Sequence, residues 1–165
     1  STPIVLRKVK GYEKMIEACD YLNGKKEVGQ KVAVIGGGLT GCEIAYELHL
    51  LGKDPVIVEM KNDLVPQKGV CLANSSYLRE YFEWKKVPVY LETPLREVHD
   101  GKIVCTDKEG QQIEIEVDSV IGAIGYLPAP LASQDKKDVY LVGDCKKIGN
   151  LRSVIWGAYE TAMKI

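Results

Sequence analysis

Residues 31–59 read KVAVIGGGLTGCEIAYELHLLGKDPVIVE. Lys31 to Ile35 is a short β-branched run, apolar on both faces, which suits a central parallel strand covered on both sides. Gly36-Gly37-Gly38 follows at once. Leu39 to Leu51 then places Gly41, Ile44, Ala45, Leu48 and Leu51 on one helical stripe, and Gly52 stops it. Pro55 to Glu59 is a second buried strand. Strand, glycine turn, helix and strand within about 30 residues make a βαβ unit.

Gly36, Gly38 and Gly41 satisfy G-x-G-x-x-G directly between strand and helix. Gly36 allows the tight turn, Gly38 leaves room for a pyrophosphate against the backbone, and Gly41 lets the helix pack close to the strand. The helix start offers free N–H groups and the positive end of its dipole to the phosphates. We therefore take Gly36, Gly37, Gly38, Leu39, Thr40 and Gly41 as candidate dinucleotide contacts. Glu59 lies 18 residues beyond Gly41, at the next strand end. A carboxylate there accepts both hydroxyls of an adenine ribose and repels a 2′-phosphate, which favours NAD(H) over NADP(H). Met60 and Lys61 follow it in the same candidate site, and Lys61 is able to reach a 2′-phosphate, so the choice stays open. Thr40 and Glu43 have the spacing of a capping box. Cys42 reads as a small buried residue, His49 falls on the exposed helix face, and His99 sits in a hairpin. Neither histidine has a Ser or Cys partner in the sequence, so no catalytic residue is assigned.

Outward from this unit, Pro3 to Leu6 is extended and Tyr12 to Leu22 has the apolar spacing of a helix, with Lys25 to Lys31 a polar linker. Ser75 to Lys86 is a further helix and Val87 to Leu91 a third strand. Glu97–His99, Lys102–Thr106 and Gln111–Val117, joined by Asp100-Gly101 and Lys108-Glu109-Gly110 turns, form a three-stranded antiparallel meander. Ser119 to Ala123 returns as a buried strand. Pro128 and Pro130 mark a loop, Val139 to Val142 is a last buried strand, and Arg152 to Ile165 closes the chain as a helix. Gly125, in AIGYLP, and Gly143-Asp144, in LVGDC, each lie just past a buried strand, where open parallel sheets hold ligands.

Composition narrows the classes. Lys plus Arg is 22 and Asp plus Glu is 23, for a net charge of −1. No basic excess exists to track phosphates, and no nucleic-acid partner is expected. The five cysteines are scattered, with no C-x-x-C and only two histidines. They supply no metal ligand set and no disulfide framework, and a reduced cytoplasmic setting is expected. No apolar run reaches the ~18 residues of a membrane span, so no membrane partner is expected. Ser1 in first place leads us to expect a piece of a longer chain.

VAVIGGGLTGCEIAYEL, PVIVEM, AIGYLP and YLVGDC together resemble the flavoproteins that carry an NAD(P)H-binding domain inserted into an FAD-binding domain. They are most similar to the iron–sulfur flavoenzymes of the 2-enoate reductase and 2,4-dienoyl-CoA reductase type, and the resemblance runs over nearly the whole chain. It implies an α/β fold: a Rossmann-like βαβ parallel sheet with an inserted three-stranded antiparallel β-meander. It implies that residues 1–30 are FAD-domain remnant and linker, that residues 31–128 bind NAD(H), and that residues 129–165 return to the FAD domain. There Gly143 and Asp144 would contact the flavin's ribityl or pyrophosphate part. FAD would belong to the full-length protein, and FMN and a 4Fe-4S cluster are implied outside this chain. The implied partners are NADH and the remainder of the chain's own flavoenzyme, and the implied reaction is hydride transfer from NADH to FAD on the way to an enoate-like substrate. A stand-alone dinucleotide-binding module, a thioredoxin-reductase-like thiol oxidoreductase fragment and a purely structural domain are the alternatives. Gly38→Ala tests the turn: its methyl should weaken NADH binding by more than about 1 kcal/mol, although Ala favours helix. Calorimetry on both forms, with the fold checked by circular dichroism, measures it.

Overall fold

The structure, a computed structural model, describes residues 1–66, 69–132 and 138–165. They form two compact units, residues 5–124 and residues 1–4 with 125–165. In chain order the strands and helices are β1 (Thr2–Pro3), β2 (Ile16–Glu17), α1 (Ala18–Leu22), β3 (Lys31–Ile35), α2 (Leu39–Leu50), β4 (Asp54–Val58) and α3 (Leu72–Lys85). There follow β5 (Val89–Tyr90), β6 (Leu95–His99), β7 (Lys102–Thr106), β8 (Gln112–Glu116), β9 (Ser119–Gly122), β10 (Tyr126–Leu127) and α4 (Leu151–Ala162).

The larger unit is built on a parallel sheet of order β2-β9-β3-β4-β5. Its two faces differ because strand side chains alternate. Val32, Val34, Ile57 and Ile121 point to one face and pack with Ile44 and Leu48 of α2 and Leu78 and Phe82 of α3. Ala33, Ile35, Val56, Val58 and Val120 point to the other and pack with Val98, Ile103, Cys105 and Ile115 of the meander. Helices thus cover one face and the antiparallel sheet β6-β7-β8 the other. That is why both faces of β3 and β4 are apolar.

Residues 5–30, set apart in the sequence reading, pack within this unit. The expected helix from Tyr12 to Leu22 is instead a 3-10 turn at Tyr12–Lys14, then β2, then the five-residue α1. Ile16 and Glu17 pair in parallel with Ile121 and Gly122, so the open edge of β9 overrides the local helical spacing. Gly11 sits at φ 78 against Val98, where a side chain would strike the carbonyl, and Lys10 and Lys14 form ion pairs with Glu97 and Asp100.

In the smaller unit, Thr2–Pro3 pairs antiparallel with Tyr126–Leu127. The strand expected at Val139–Val142 is not formed: among the described residues no strand pairs with it, and the Val142 carbonyl accepts from the Cys145 thiol at 2.9 Å instead. Gly143–Cys145 is a 3-10 turn, and α4 opens with a reciprocal cap between Asn150 and Ser153. The stretch between Pro128 and Val139 includes residues 133–137, which lie outside the described residues.

Helix α2 carries two further corrections. Its cap is Gly38, not Thr40, which is already inside the first turn, and no side chain caps it. Leu51 is 65% exposed, off the buried stripe of Gly41, Ile44, Ala45 and Leu48, because the helix ends at Leu50. Gly41 packs α2 tightly against the turn after β3: a Cβ there would overlap the Gly36 carbonyl oxygen and lie 3.3 Å from the Ala123 Cβ. Gly41→Ala should therefore lower stability by about 1–3 kcal/mol, the usual cost of overpacking, despite the helix propensity gained. Urea denaturation of both forms measures it.

Candidate functional site

The glycine turn joins β3 to α2 at the carboxyl end of the sheet, beside the end of β4. Gly36 has φ 110, and a Cβ on it would lie 2.5 Å from the Ala123 carbonyl oxygen. Both steric limits require glycine. Its N–H donates to the Val58 carbonyl at 2.9 Å, tying the turn to β4. Gly37 is buried, and a Cβ there would lie 2.6 Å from Leu64 Cδ2 and 3.0 Å from Glu59 Cβ. Both of its backbone groups are engaged. The N–H donates to Glu59 Oε2 at 2.6 Å, and the carbonyl accepts from the Val65 N–H at 2.7 Å.

Gly38 is extended, at φ −70 and ψ 179, and its carbonyl accepts the first helical bond, from the Cys42 N–H at 2.9 Å. The N–H groups of Leu39, Thr40 and Gly41 precede any intrahelical acceptor. With no side chain capping them, the helix start is left ready for an anion. Gly38, Leu39 and Thr40 are half-buried there, and Gly41 is buried behind them.

Glu59 is 7% exposed. Its Oε2 accepts from Gly37 and its Oε1 from the Lys61 N–H at 2.7 Å, both short, charge-assisted bonds. Its own N–H and carbonyl are bonded to Tyr90 and Thr93. A carboxylate has about four lone-pair sites, so acceptor capacity remains on Glu59 beyond these two bonds. Met60 and the side chain of Lys61 are exposed beside it. The structure thus brings Gly36 to Gly41, Glu59, Met60 and Lys61 to one place. Sequence reasoning missed the bond from Glu59 to Gly37, and it passed over Asp63, Leu64, Val65 and Arg79, which have no motif.

Gly125, Gly143 and Asp144 belong to the smaller unit. Gly125 has φ 99 and Gly143 φ 65, and Asp144 Oδ1 accepts from the Gly149 N–H at 3.1 Å. His49, expected on the exposed face of α2, is half-buried and bonded to the Tyr81 hydroxyl at 2.7 Å, because α3 lies over it. None of the five cysteines is in a disulfide among the described residues. Burial, with Glu59 beside it, pushes the Cys42 thiol up to about 12, and burial pushes Cys105 up to about 11. Both stay protonated and unsuited to thiolate chemistry near neutral pH. No group of three or more His, Cys, Asp or Glu suited to a metal occurs among the described residues. No helix among them is long and apolar enough to cross a membrane.

A family model described as pyridine nucleotide-disulphide oxidoreductase matches residues 1–139. The chain belongs to this family. The fold assignment from the sequence is borne out, and the family implies FAD and NAD(P)H as cofactors. A cinnamate reductase of Clostridium sporogenes is 37% identical over 163 residues, 95% of this chain and 24% of that protein. An NADH oxidase of Thermoanaerobacter brockii is 29% identical over 180 residues, 100% of this chain and 27% of that protein. A solved 2-naphthoyl-CoA reductase superposes with TM-score 0.84 at 23% identity, covering 100% of this chain and 25% of that one, a likeness of fold. The chain thus spans about a quarter of the length of these relatives.

Glu59 gives the site a stability signature of its own. Glu59→Gln keeps one acceptor oxygen and turns an amide NH2 toward the other backbone donor. The N–H left without a partner should cost about 1–3 kcal/mol. Thermal unfolding of the ligand-free forms reads this directly.

Proposed function

We propose that this chain is the NADH-binding part of a flavin-dependent oxidoreductase and holds NADH for hydride transfer to FAD, on the way to an enoate-like substrate. The observation that carries the reading is the uncapped start of α2 beside a buried carboxylate at the end of β4. The residues fit the cofactor. The turn is backed by glycines whose Cβ atoms would collide with the backbone or with Leu64 and Glu59, and the helix start offers open donors. The N–H groups of Leu39, Thr40 and Gly41 would hold the pyrophosphate, and Glu59 would accept the ribose hydroxyls, with Met60 and Lys61 flanking it. When bound, NADH supplies the hydride. The protein binds and orients it, and no residue of this chain need act as an acid or base.

The similarity to a cinnamate reductase supports the enoate-like substrate. The resemblance to iron–sulfur flavoenzymes supports FMN and a 4Fe-4S cluster elsewhere in the whole protein. Gly125, Gly143 and Asp144 would serve the FAD side, with residues 1–4 and 125–165 as the flanks of its domain and residues 5–124 as the NADH domain. The scattered cysteines support a reduced, cytoplasmic setting. The remainder of the flavoenzyme would then be the chain's partner.

Cofactor choice tests the reading. A 2′-phosphate would set about two negative charges beside Glu59. At an effective dielectric near 20, unit charges about 4 Å apart interact by about 4 kcal/mol. An exposed lysine such as Lys61 offsets about 1 kcal/mol at most. NADH should therefore bind at least about tenfold more tightly than NADPH, which needs only ~1.4 kcal/mol. Paired calorimetric titrations at one ionic strength decide the matter, and equal affinities would mean that Lys61 outweighs Glu59.

A further inference from the structure

Arg79 lies on α3, outside every motif, and its side chain is 33% exposed. Its Nε donates to Asp63 Oδ1 at 3.1 Å and its Nη2 to Asp63 Oδ2 at 3.0 Å, a two-pronged pair. The same Nη2 donates to the Leu64 carbonyl at 2.5 Å and reaches the Val65 carbonyl at 3.4 Å. One guanidinium thus binds three consecutive residues of the loop after Glu59. That loop is held in a costly shape. Val65, β-branched, sits at φ 46, a region that such residues adopt only when their surroundings over-determine it. Leu64 and Val65 are 5% and 3% exposed, so the loop is packed inward.

The loop touches the ligand site at two points. The Val65 N–H donates to the Gly37 carbonyl at 2.7 Å, which orients the peptide leading into the start of α2. The Leu64 side chain fills the space beside Gly37 where a Cβ would stand. At its other end the Lys61 N–H donates to Glu59 Oε1, whose partner oxygen takes the Gly37 N–H. Gly37 is therefore gripped from both sides, by Glu59 and by the loop that Arg79 holds.

We infer that Arg79 is a positioning residue for the dinucleotide site: by fixing residues 63–65 it orients the Gly37 peptide and the Glu59 carboxylate, and so sets affinity for the adenosine half of the ligand. This rests on the NADH reading above. A lysine cannot replace it, because a single ammonium lacks the planar fork that spans a carboxylate and a neighbouring carbonyl.

The test compares wild type, R79M, R79K and D63N for binding of NADH and of ADP-ribose by calorimetry, alongside their thermal midpoints. ADP-ribose carries the adenosine half and the pyrophosphate without the nicotinamide. R79M should weaken both ligands by a similar factor, on the order of tenfold, at a temperature well below its midpoint. R79K should recover only part of the loss. D63N should weaken binding in the same direction, and R79M combined with D63N should fall well short of the product of the single effects, because both remove one clamp. A purely structural role predicts a lower thermal midpoint with both affinities within about twofold of wild type, and that result overturns the inference. If R79M does not fold, D63N, altered at the half-exposed end of the pair, carries the same comparison. Wild type that binds both ligands while the folded variants bind equally well refutes the positioning role alone. Wild type that binds neither refutes the dinucleotide reading and this inference with it.

Discussion

The bond from the Gly37 N–H to the Glu59 carboxylate, 2.6 Å long and buried, joins the turn after β3 to the end of β4. The site depends on it. A buried carboxylate is tolerated only where donors satisfy it, and here two backbone N–H groups do so. The same arrangement fixes the direction in which the chain enters α2, and hence where the open helix donors point. Its glycine partner is required sterically, since a side chain at Gly37 would meet both Glu59 and Leu64. Charge, turn geometry and residue size thus support one another.

Around that bond the sheet supplies rigidity. β3 and β4 pair over five residues in parallel, and both faces are buried, one under helices and the other under the meander. Parallel strands carry such long apolar runs because helices and further strands cover them on both sides. A turn rooted in two buried strands holds its N–H groups in place before a ligand arrives. That preorganisation lowers the ordering cost of binding. The close approach of α2 at Gly41 continues the same logic, placing the helix start directly over the turn.

The family membership gives this arrangement its setting. The chain covers about a quarter of the cinnamate reductase and of the Thermoanaerobacter NADH oxidase, and its smaller unit carries an exposed apolar helix face with Ile155, Trp156 and Tyr159. In the larger unit the cysteines nearest the core, Cys42 and Cys105, are buried and protonated. The membership rests on the family match over residues 1–139.

The sequence by itself determined the βαβ unit, the glycine turn, the acid at the strand end and the meander, because each is written in local terms. Short β-branched runs, consecutive glycines and Asp-Gly turns constrain the backbone wherever they occur. It also carried the family resemblance, through short motifs in a fixed order. Tertiary structure alone decided the rest. Ile16 and Glu17 became a strand because β9 offered an unpaired edge, overriding helical spacing. Val139 to Val142 did not become one, and among the described residues no strand pairs with it. The N-cap fell on Gly38 and not Thr40 because the turn is shaped by Glu59 and Val65, 21 and 27 residues away from it in the chain. Arg79 gained its place through contacts with Asp63 and Leu64, 16 and 15 residues earlier. Such contacts depend on where the fold brings separate segments together, and no local pattern of residues encodes them.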